Sequence, residues 1–307
     1  MVKMFKIAAG SFPGRAHMIG GSGINKLMMG GNNQDAYYIY SELDNVPMRG
    51  TPTSKCVVDN NSFTTIGIVT DGCSSSRHSE FGAQLGARIM GSNIQWYMVH
   101  GVDIVKAISL SYTNLMEEIL KLSKNMLEET SIDESGAKVN RILNDYFMFT
   151  IVGFVMSNVR AVIFTIGDGV YGVNGNYIKI PHNIENKPIY CGYSLMTSLP
   201  HHVTDDDMQP KIVVDCNTES VDTILVATDG FEYYLDNLDK KIAGTDTVLS
   251  TVDLYDEHFF KNKDNITRHL RKCTSSFTRI DWERNEVTEE PPILSVDDTT
   301  IIVAKRG

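Results

Sequence analysis

Residues Ile68–Arg77 read IVTDGCSSSR, and the fold turns on how that stretch is understood. A strand-forming run from Thr64 to Val69 stops at Asp71, with Gly72 directly after it. A carboxylate is costly to bury without a partner, so its place at the mouth of an apolar strand asks for a reason. The arrangement recurs at Ile224–Gly230, ILVATDG. Three more aspartates share the context: Asp35 in NNQDAYYIY, Asp168 in FTIGDGVYG and Asp297 in SVDDTTIIV. One Asp-Gly alone is an ordinary turn, because Asp bonds its own backbone and Gly supplies a positive φ. Five aspartates at expected strand ends say more. If the strands belong to two facing sheets, their ends meet at one edge, and the gathered carboxylates repel one another until cations neutralise them.

Around these strands the chain reads as a mixture of elements. The first thirty residues, rich in Gly and Met, are expected to be a flexible loop leading to a strand at 36–40, and a further strand is expected at 56–59. A helix begins at Ser79, with Phe81, Leu85 and Ile89 on one face and small Gly82, Ala83, Gly86 and Ala87 on another, suited to close approach to a sheet. A second helix carries Val105, Ile108, Tyr112, Leu115, Ile119 and Leu122 at spacings of three and four, and a third covers about 137–144. The signal then turns to β, with Asn174-Gly175 marking a hairpin. Residues 181–210 read as an irregular, flap-like excursion. Strands follow at 211–215 and 223–227, a last helix at about 254–272, a polar surface loop at 274–292, and a terminal strand entered through Asp297 and Asp298. No break in composition divides the 307 residues, so one domain over 1–307 is expected. Its class is α+β, antiparallel sheets covered by helices.

Composition narrows the function classes. A net charge of -10 argues against non-specific nucleic-acid binding. The five cysteines, Cys56, Cys73, Cys191, Cys216 and Cys273, form no Cys-x-x-Cys pair and suggest neither a disulfide framework nor a zinc site. The start shows no secretory leader pattern. The longest apolar run, Phe147 to Met156, is far below the roughly 20 residues that span a bilayer. A cytoplasmic protein acting away from membranes is the expectation.

Carboxylates with water and a backbone carbonyl make the hard-oxygen sphere that Mg²⁺ and Mn²⁺ prefer. Two such ions about 3.5–4 Å apart can activate water and clamp a phosphoryl group, so the pattern points to metal-assisted phosphoester hydrolysis. The ordered motifs NQDA, VTDGCSSS…SEFGAQLGA, FTIGDG, ILVATDG and DDTTIIV resemble the metal-dependent serine/threonine phosphatases, the PPM or protein phosphatase 2C family. The GRAH…NQDA opening is most similar to its bacterial-type branch, and the resemblance runs from about Gly14 to Val303. It implies a four-layer α-β-β-α sandwich, two mainly antiparallel sheets flanked by antiparallel helix pairs. It also implies hydrolysis of phosphoserine and phosphothreonine in proteins by in-line attack of a metal-bridging water, without a phospho-enzyme. Position by position, Asp71 matches the aspartate bridging two metals, Gly72 the glycine whose carbonyl binds one of them, and Asp229 and Asp297 the remaining carboxylates of the first. Asp35 matches the acidic residue of the second metal. Asp168, with Asp229, matches the ligands of a third, looser ion. The cofactors implied are Mg²⁺ or Mn²⁺, the partners phosphoprotein substrates, and the oligomeric state a monomer.

Some positions depart from the pattern or carry rival readings. Gln34 stands where members often carry Glu, which removes one carboxylate from the second metal. The arginine that grips the phosphate in many members has no clear match; Arg15, His17 and Arg77 are the candidates for that contact. His201-His202 beside Asp205–Asp207 read as a solvated loop rather than a metal site, since adjacent histidines point apart. Ser74–Ser76 read as small turn residues capping the next helix, with no nucleophile-elbow motif to support a covalent serine mechanism. Cys73, beside Asp71-Gly72, would make the site oxidation-sensitive, but it reads more often as a small packed side chain. The alternative to an active enzyme is a pseudophosphatase, the same fold kept as a binding or regulatory module. Gln34 and the missing arginine favour it, and five retained aspartates oppose it. A small phosphoester is the third substrate class.

Overall fold

Strand β3 (Thr65–Gly72) is buried along almost its whole length, as a strand must be when both of its faces are covered. The computed structural model describes residues 5–14, 33–41, 64–127, 136–181, 188–197, 203–294 and 297–307. In it β3 pairs antiparallel with β2 (Ala36–Ser41) and β4 (Phe149–Met156). β5 (Arg160–Ile166) and β8 (Lys211–Asn217) complete a five-stranded sheet in the order β2-β3-β4-β5-β8. A second five-stranded sheet is built from β1 (Phe5–Phe12), β6 (Gly169–Val173), β7 (Asn176–Ile180), β9 (Thr223–Ala227) and β12 (Thr299–Arg306). Its order is β1-β12-β9-β6-β7, and every pairing in both sheets is antiparallel. The Asn174-Gly175 hairpin forms as expected, with φ of 50° and 80° at the two turn residues.

The two sheets face each other across a layer that includes Val69, Val152, Phe154 and Ile163 from one and Phe5, Val226 and Ile302 from the other. Helices α1 (Ser79–Val99) and α2 (Ile104–Asn125) cover the outer face of the β3 sheet, joined by a short turn in which Asp103 caps α2 through the amides of Val105 and Lys106. The short α3 (Ala137–Tyr146) packs beside them. Helices α4 (Phe231–Asp236), α5 (Glu257–Lys261) and α6 (Asn265–Cys273) cover the other sheet. The α-β-β-α sandwich is therefore present.

The face of α1 that meets the sheet is its small one, as its Gly and Ala spacing predicts. A Cβ on Gly86 would stand 2.4 Å from the Phe149 ring, and one on Gly91 2.1 Å from Tyr38. Phe81, expected on the packed stripe, is 47% exposed instead. The sheet takes glycines because they let the helix backbone approach, and the large residue turns outward.

Other expectations are corrected. Residues 5–12 are a strand, not part of a loop: FKIAAGSF pairs along its whole length with β12 and buries Phe5, Ala8 and Ala9. The helix expected over 254–272 is broken into a 3₁₀ turn at Val252–Tyr255, α5 and α6. Asn262 and Asp264 interrupt it, with Asn262 Oδ1 accepting from the Asp264 amide at 2.9 Å, the local bond by which these residues compete with helix. The loop expected at 274–292 contains a two-stranded hairpin, β10 (Phe277–Asp281) with β11 (Glu286–Glu290). Its alternating Thr, Ile and Val have strand propensity that their polar neighbours masked. The strand expected at 56–59 and the histidines 201–202 lie outside the described residues.

Candidate metal centre

All five aspartates come to one edge of the sandwich. Asp35 precedes β2 and Asp71 ends β3, which run antiparallel side by side. Asp229 follows β9 and Asp297 precedes β12, again neighbours, with Ala227 paired to Ile301. Asp168 lies in the crossing from β5 to β6, the point where the chain passes from one sheet to the other. Gly167 and Gly169 flank it at φ of 84° and 130°, values that favour glycine. That turn holds Asp168 at the mouth, 3% exposed.

The carboxylates interact closely. Asp71 is within hydrogen-bonding reach of both Asp35 and Asp229. Burial pushes the Asp71 carboxyl well above the usual range, and the charges of Asp35, Asp229, Asp297 and Asp168 push it further. Burial and the Asp298 charge raise Asp35 to about 7. Burial and the charges of Asp297, Asp168 and Asp35 raise Asp229 to about 8. The leading influences on these three groups include no Lys or Arg. Gln34 Oε1, Asp35 Oδ1 and Asp229 Oδ1 are buried oxygens that accept no hydrogen bond, each costing about 1–3 kcal/mol unless something else satisfies it. A hard cation meets that need. Among the described residues no three acidic, His or Cys side chains form a ready-made cage.

A second layer fixes the carboxylates. Thr228 Oγ1 donates to Asp35 Oδ2 at 2.7 Å and accepts from the Thr300 amide at 3.0 Å. Thr300 Oγ1 donates to Ser11 Oγ at 2.6 Å, which also receives Asn33 Nδ2 at 2.7 Å. Asp298 turns away from this role: its two oxygens accept the amides of Gly14 at 2.7 Å and Gln34 at 2.6 Å. Gln34 Nε2 donates to Ser79 Oγ at 3.1 Å and to the Cys73 carbonyl at 3.4 Å. The side-chain amide is thereby fixed beside Gly72.

The glycines after Asp71 and Asp229 have a different cause from the one a turn suggests. Neither has a positive φ. A Cβ on Gly230 would lie 2.0 Å from the Asp298 carbonyl, and one on Gly72 2.9 Å from both the Gln34 carbonyl and Ser79 Oγ. Both are required by close backbone approach at the sheet edge.

Arg77 is exposed on the turn before α1, and Arg15 and His17 lie outside the described residues. The serines do not cap α1: His78 is its N-cap and no side chain bonds there. They form the turn itself, with the Ser76 amide on the Cys73 carbonyl at 3.0 Å. The Cys73 thiol is 3.1 Å from Ser75 Oγ. Burial opposes its ionisation, but hydrogen bonds from Ser75, Tyr190 and Ser76 outweigh burial and hold its pKa below the ordinary value. Two phenols that sequence reasoning missed flank the cluster. After burial, Tyr233 feels chiefly the charges of Asp297 and Asp229; Tyr190 feels Cys73 first, then Asp71 and Asp168. The Thr of both Thr-Asp-Gly runs was the one available signal for the supporting layer, since Thr70 also braces its strand, donating to the Ala83 carbonyl at 2.9 Å.

A family model described as protein phosphatase 2C matches residues 53–274, well over half of the chain. The chain belongs to the protein phosphatase 2C family. A solved bacterial serine phosphatase is similar at 12% identity, covering 99% of this chain and 98% of its own, with a TM-score of 0.51. An arginine-to-lysine variant of that phosphatase gives the same figures. The catalytic domain of PstP in complex with two manganese ions is 12% identical over 98% of each chain, at a TM-score of 0.46. The bacterial serine phosphatase and its variant show the fold. No curated protein matches the chain.

Proposed function

We propose that this protein is a metal-dependent phosphoprotein phosphatase acting on phosphoserine and phosphothreonine. The observation that carries the reading is the position of Asp71, within hydrogen-bonding reach of Asp35 and Asp229 and close enough to Asp297 and Asp168 to feel their charges. Asp71, Asp229 and Asp297, with the Gly72 carbonyl, would hold one or both Mg²⁺ or Mn²⁺ ions, Asp35 would serve the second, and Asp168 with Asp229 a third. Such ions, when bound, supply Lewis acidity that activates water and offsets phosphoryl charge. The chain's own part is positioning. Thr228 and Thr300 fix Asp35, the glycine-flanked turn presents Asp168, and the close approaches at Gly72 and Gly230 lock both strand ends. Membership of the phosphatase family supports a phosphoprotein substrate, and residues 1–307 acting as one phosphatase domain accord with the sandwich.

The test is turnover of a phosphothreonine peptide with Mn²⁺, with and without chelator. Activity is expected with Mn²⁺, and loss with chelator; Asp71→Asn and Asp229→Asn should each abolish it. Unchanged turnover in either variant would refute the assignment. The neutral Gln34, held by Ser79 and the Cys73 carbonyl, favours a second reading, the pseudophosphatase. Calorimetric titration separates the two, since a pseudophosphatase binds Mn²⁺ weakly or not at all and turns over no peptide.

A further inference from the structure

The β10–β11 hairpin belongs to neither large sheet. Its base is tied down where the amides of Ile293 and Leu294 both donate to the Cys273 carbonyl at 2.9 Å. One face rests on the Gly244 turn: a Cβ on Gly244 would lie 2.4 Å from the Phe277 ring, and the Gly244 amide donates to Glu290 Oε2 at 2.8 Å. The opposite face is open. Ile280 and Val287 stand directly across from each other on it, 46% and 69% exposed, and Trp282 at the turn is 82% exposed. Among the described residues neither outer edge of the hairpin has a strand partner.

Such a feature is unfavourable for an isolated protein. A lone two-stranded hairpin is marginally stable, and an open apolar edge invites pairing with another chain. A tryptophan left in water here has no packing role to explain it. The charges say what kind of chain fits. Residues 277–290 carry five acidic side chains, Asp281 among them, and two arginines, and both arginines already face the hairpin's own carboxylates, Arg279 at 3.8 Å from Glu290 and Arg284 at 3.8 Å from Asp281. Glu283, Glu286 and Glu289 have no cation partner among the described residues. A second copy of the chain would bring the same acidic edge against itself, which like-charge repulsion opposes.

We infer that the hairpin is a docking arm for an extended polypeptide of alternating apolar and basic residues, added as a third strand along β11. Main-chain hydrogen bonds would supply affinity, as in strand addition generally. Val287, Ile280 and Trp282 would cover the apolar side chains, and Glu286, on the opposite face of β11 from Val287, would pair with a basic one. The hairpin contributes none of the five clustered aspartates, so it would recruit a partner without supplying a group to the reaction.

The probe is a ten-residue peptide alternating valine and lysine, titrated against the full chain by calorimetry, beside valine–glutamate and serine–lysine controls. The valine–lysine peptide is expected to bind about tenfold or more tightly than either control. Trp282→Ala, and separately Glu286→Lys, should each weaken it by a similar factor while melting temperature and turnover of a small phosphoester stay unchanged. Absence of binding, equal binding of a control, or binding that survives both variants would overturn the proposal. So would sedimentation showing a dimer that Trp282→Ala dissociates, because the occupant would then be a second copy.

Discussion

Thr228 Oγ1 donates to Asp35 Oδ2 at 2.7 Å, joining residues 193 positions apart and linking the strand ends of the two sheets. The same oxygen accepts from the Thr300 amide at 3.0 Å, so one buried hydroxyl serves a carboxylate, a backbone donor and the seam between layers. Valine has the same shape and neither function. Thr228→Val should therefore lower stability by about 1–3 kcal/mol, the usual cost of stranding buried polar groups, whereas Thr228→Ser should stay close to the parent. Denaturant unfolding of the three proteins measures this, and equal midpoints for Val and Thr would show that the bond contributes nothing.

The aspartate cluster makes stability depend on pH in a direction set by its raised pKa values. Burial and neighbouring charge hold Asp35 at about 7 and Asp229 at about 8 in the folded protein, against 3.8 when unperturbed. The folded state thus keeps protons that the unfolded chain releases. The stabilising contribution is complete below about pH 4 and is lost as pH rises through 7 and 8. Chelated protein should accordingly melt at a lower temperature at about pH 9 than at about pH 6, and saturating Mn²⁺ should raise the melting temperature most at the higher pH. A chelated protein whose melting is indifferent to this range, or one unmoved by Mn²⁺, would count against the cluster.

What could be read in advance depended on how local the cause was. The Asp-Gly strand ends and the small face of α1 were legible because a buried strand and a close helix leave a residue-by-residue imprint. The strand at Phe5–Phe12 was not, since Ala8, Ala9 and Gly10 carry little β signal, and its pairing with β12 is settled by residues almost the whole chain away. Gly10 itself is explained only by α6, whose Thr267 amide would lie 2.5 Å from a Cβ there. The reason for Gly230 was equally hidden, because the Asp298 carbonyl that excludes a side chain comes from the segment entering β12, far along the chain. The five aspartates could be named from sequence, but the layer that holds them could not: Thr300 reaches Ser11 across 289 positions.

Tyr233 lies at the rim, 41% exposed, and burial with the Asp297 and Asp229 charges keeps its phenol protonated. On the proposed function it is placed to donate to a phosphoryl oxygen. Removal of a single neutral donor costs about 0.5–1.5 kcal/mol, so Tyr233→Phe should lower kcat/KM for a phosphothreonine peptide by about twofold to tenfold. Mn²⁺ affinity, read by calorimetry, should not change. Unaltered kinetics would remove Tyr233 from the site, and weakened Mn²⁺ binding would reassign it to metal positioning.

Acid stability should be governed by a group outside the aspartate cluster. His269 on α6 packs edge-on against Phe259 with ring centroids 5.5 Å apart, and its Nε2 lies 3.0 Å from the Tyr234 hydroxyl. Burial, followed by the charges of Lys272 and His258, lowers its pKa from 6.5 to about 4. A depressed pKa means that the unfolded chain takes up the proton first. The contribution is present above about pH 6.5 and is lost as pH falls towards 4, amounting to about 3 kcal/mol at about 1.4 kcal/mol per unit. His269→Gln retains hydrogen-bonding capacity without the titration, so its unfolding free energy should fall less steeply between pH 6.5 and 4 than that of the parent. Parallel pH profiles for the two proteins would mean that the histidine is already charged in the fold, and that its neighbours Tyr234 and Phe259 tolerate the imidazolium.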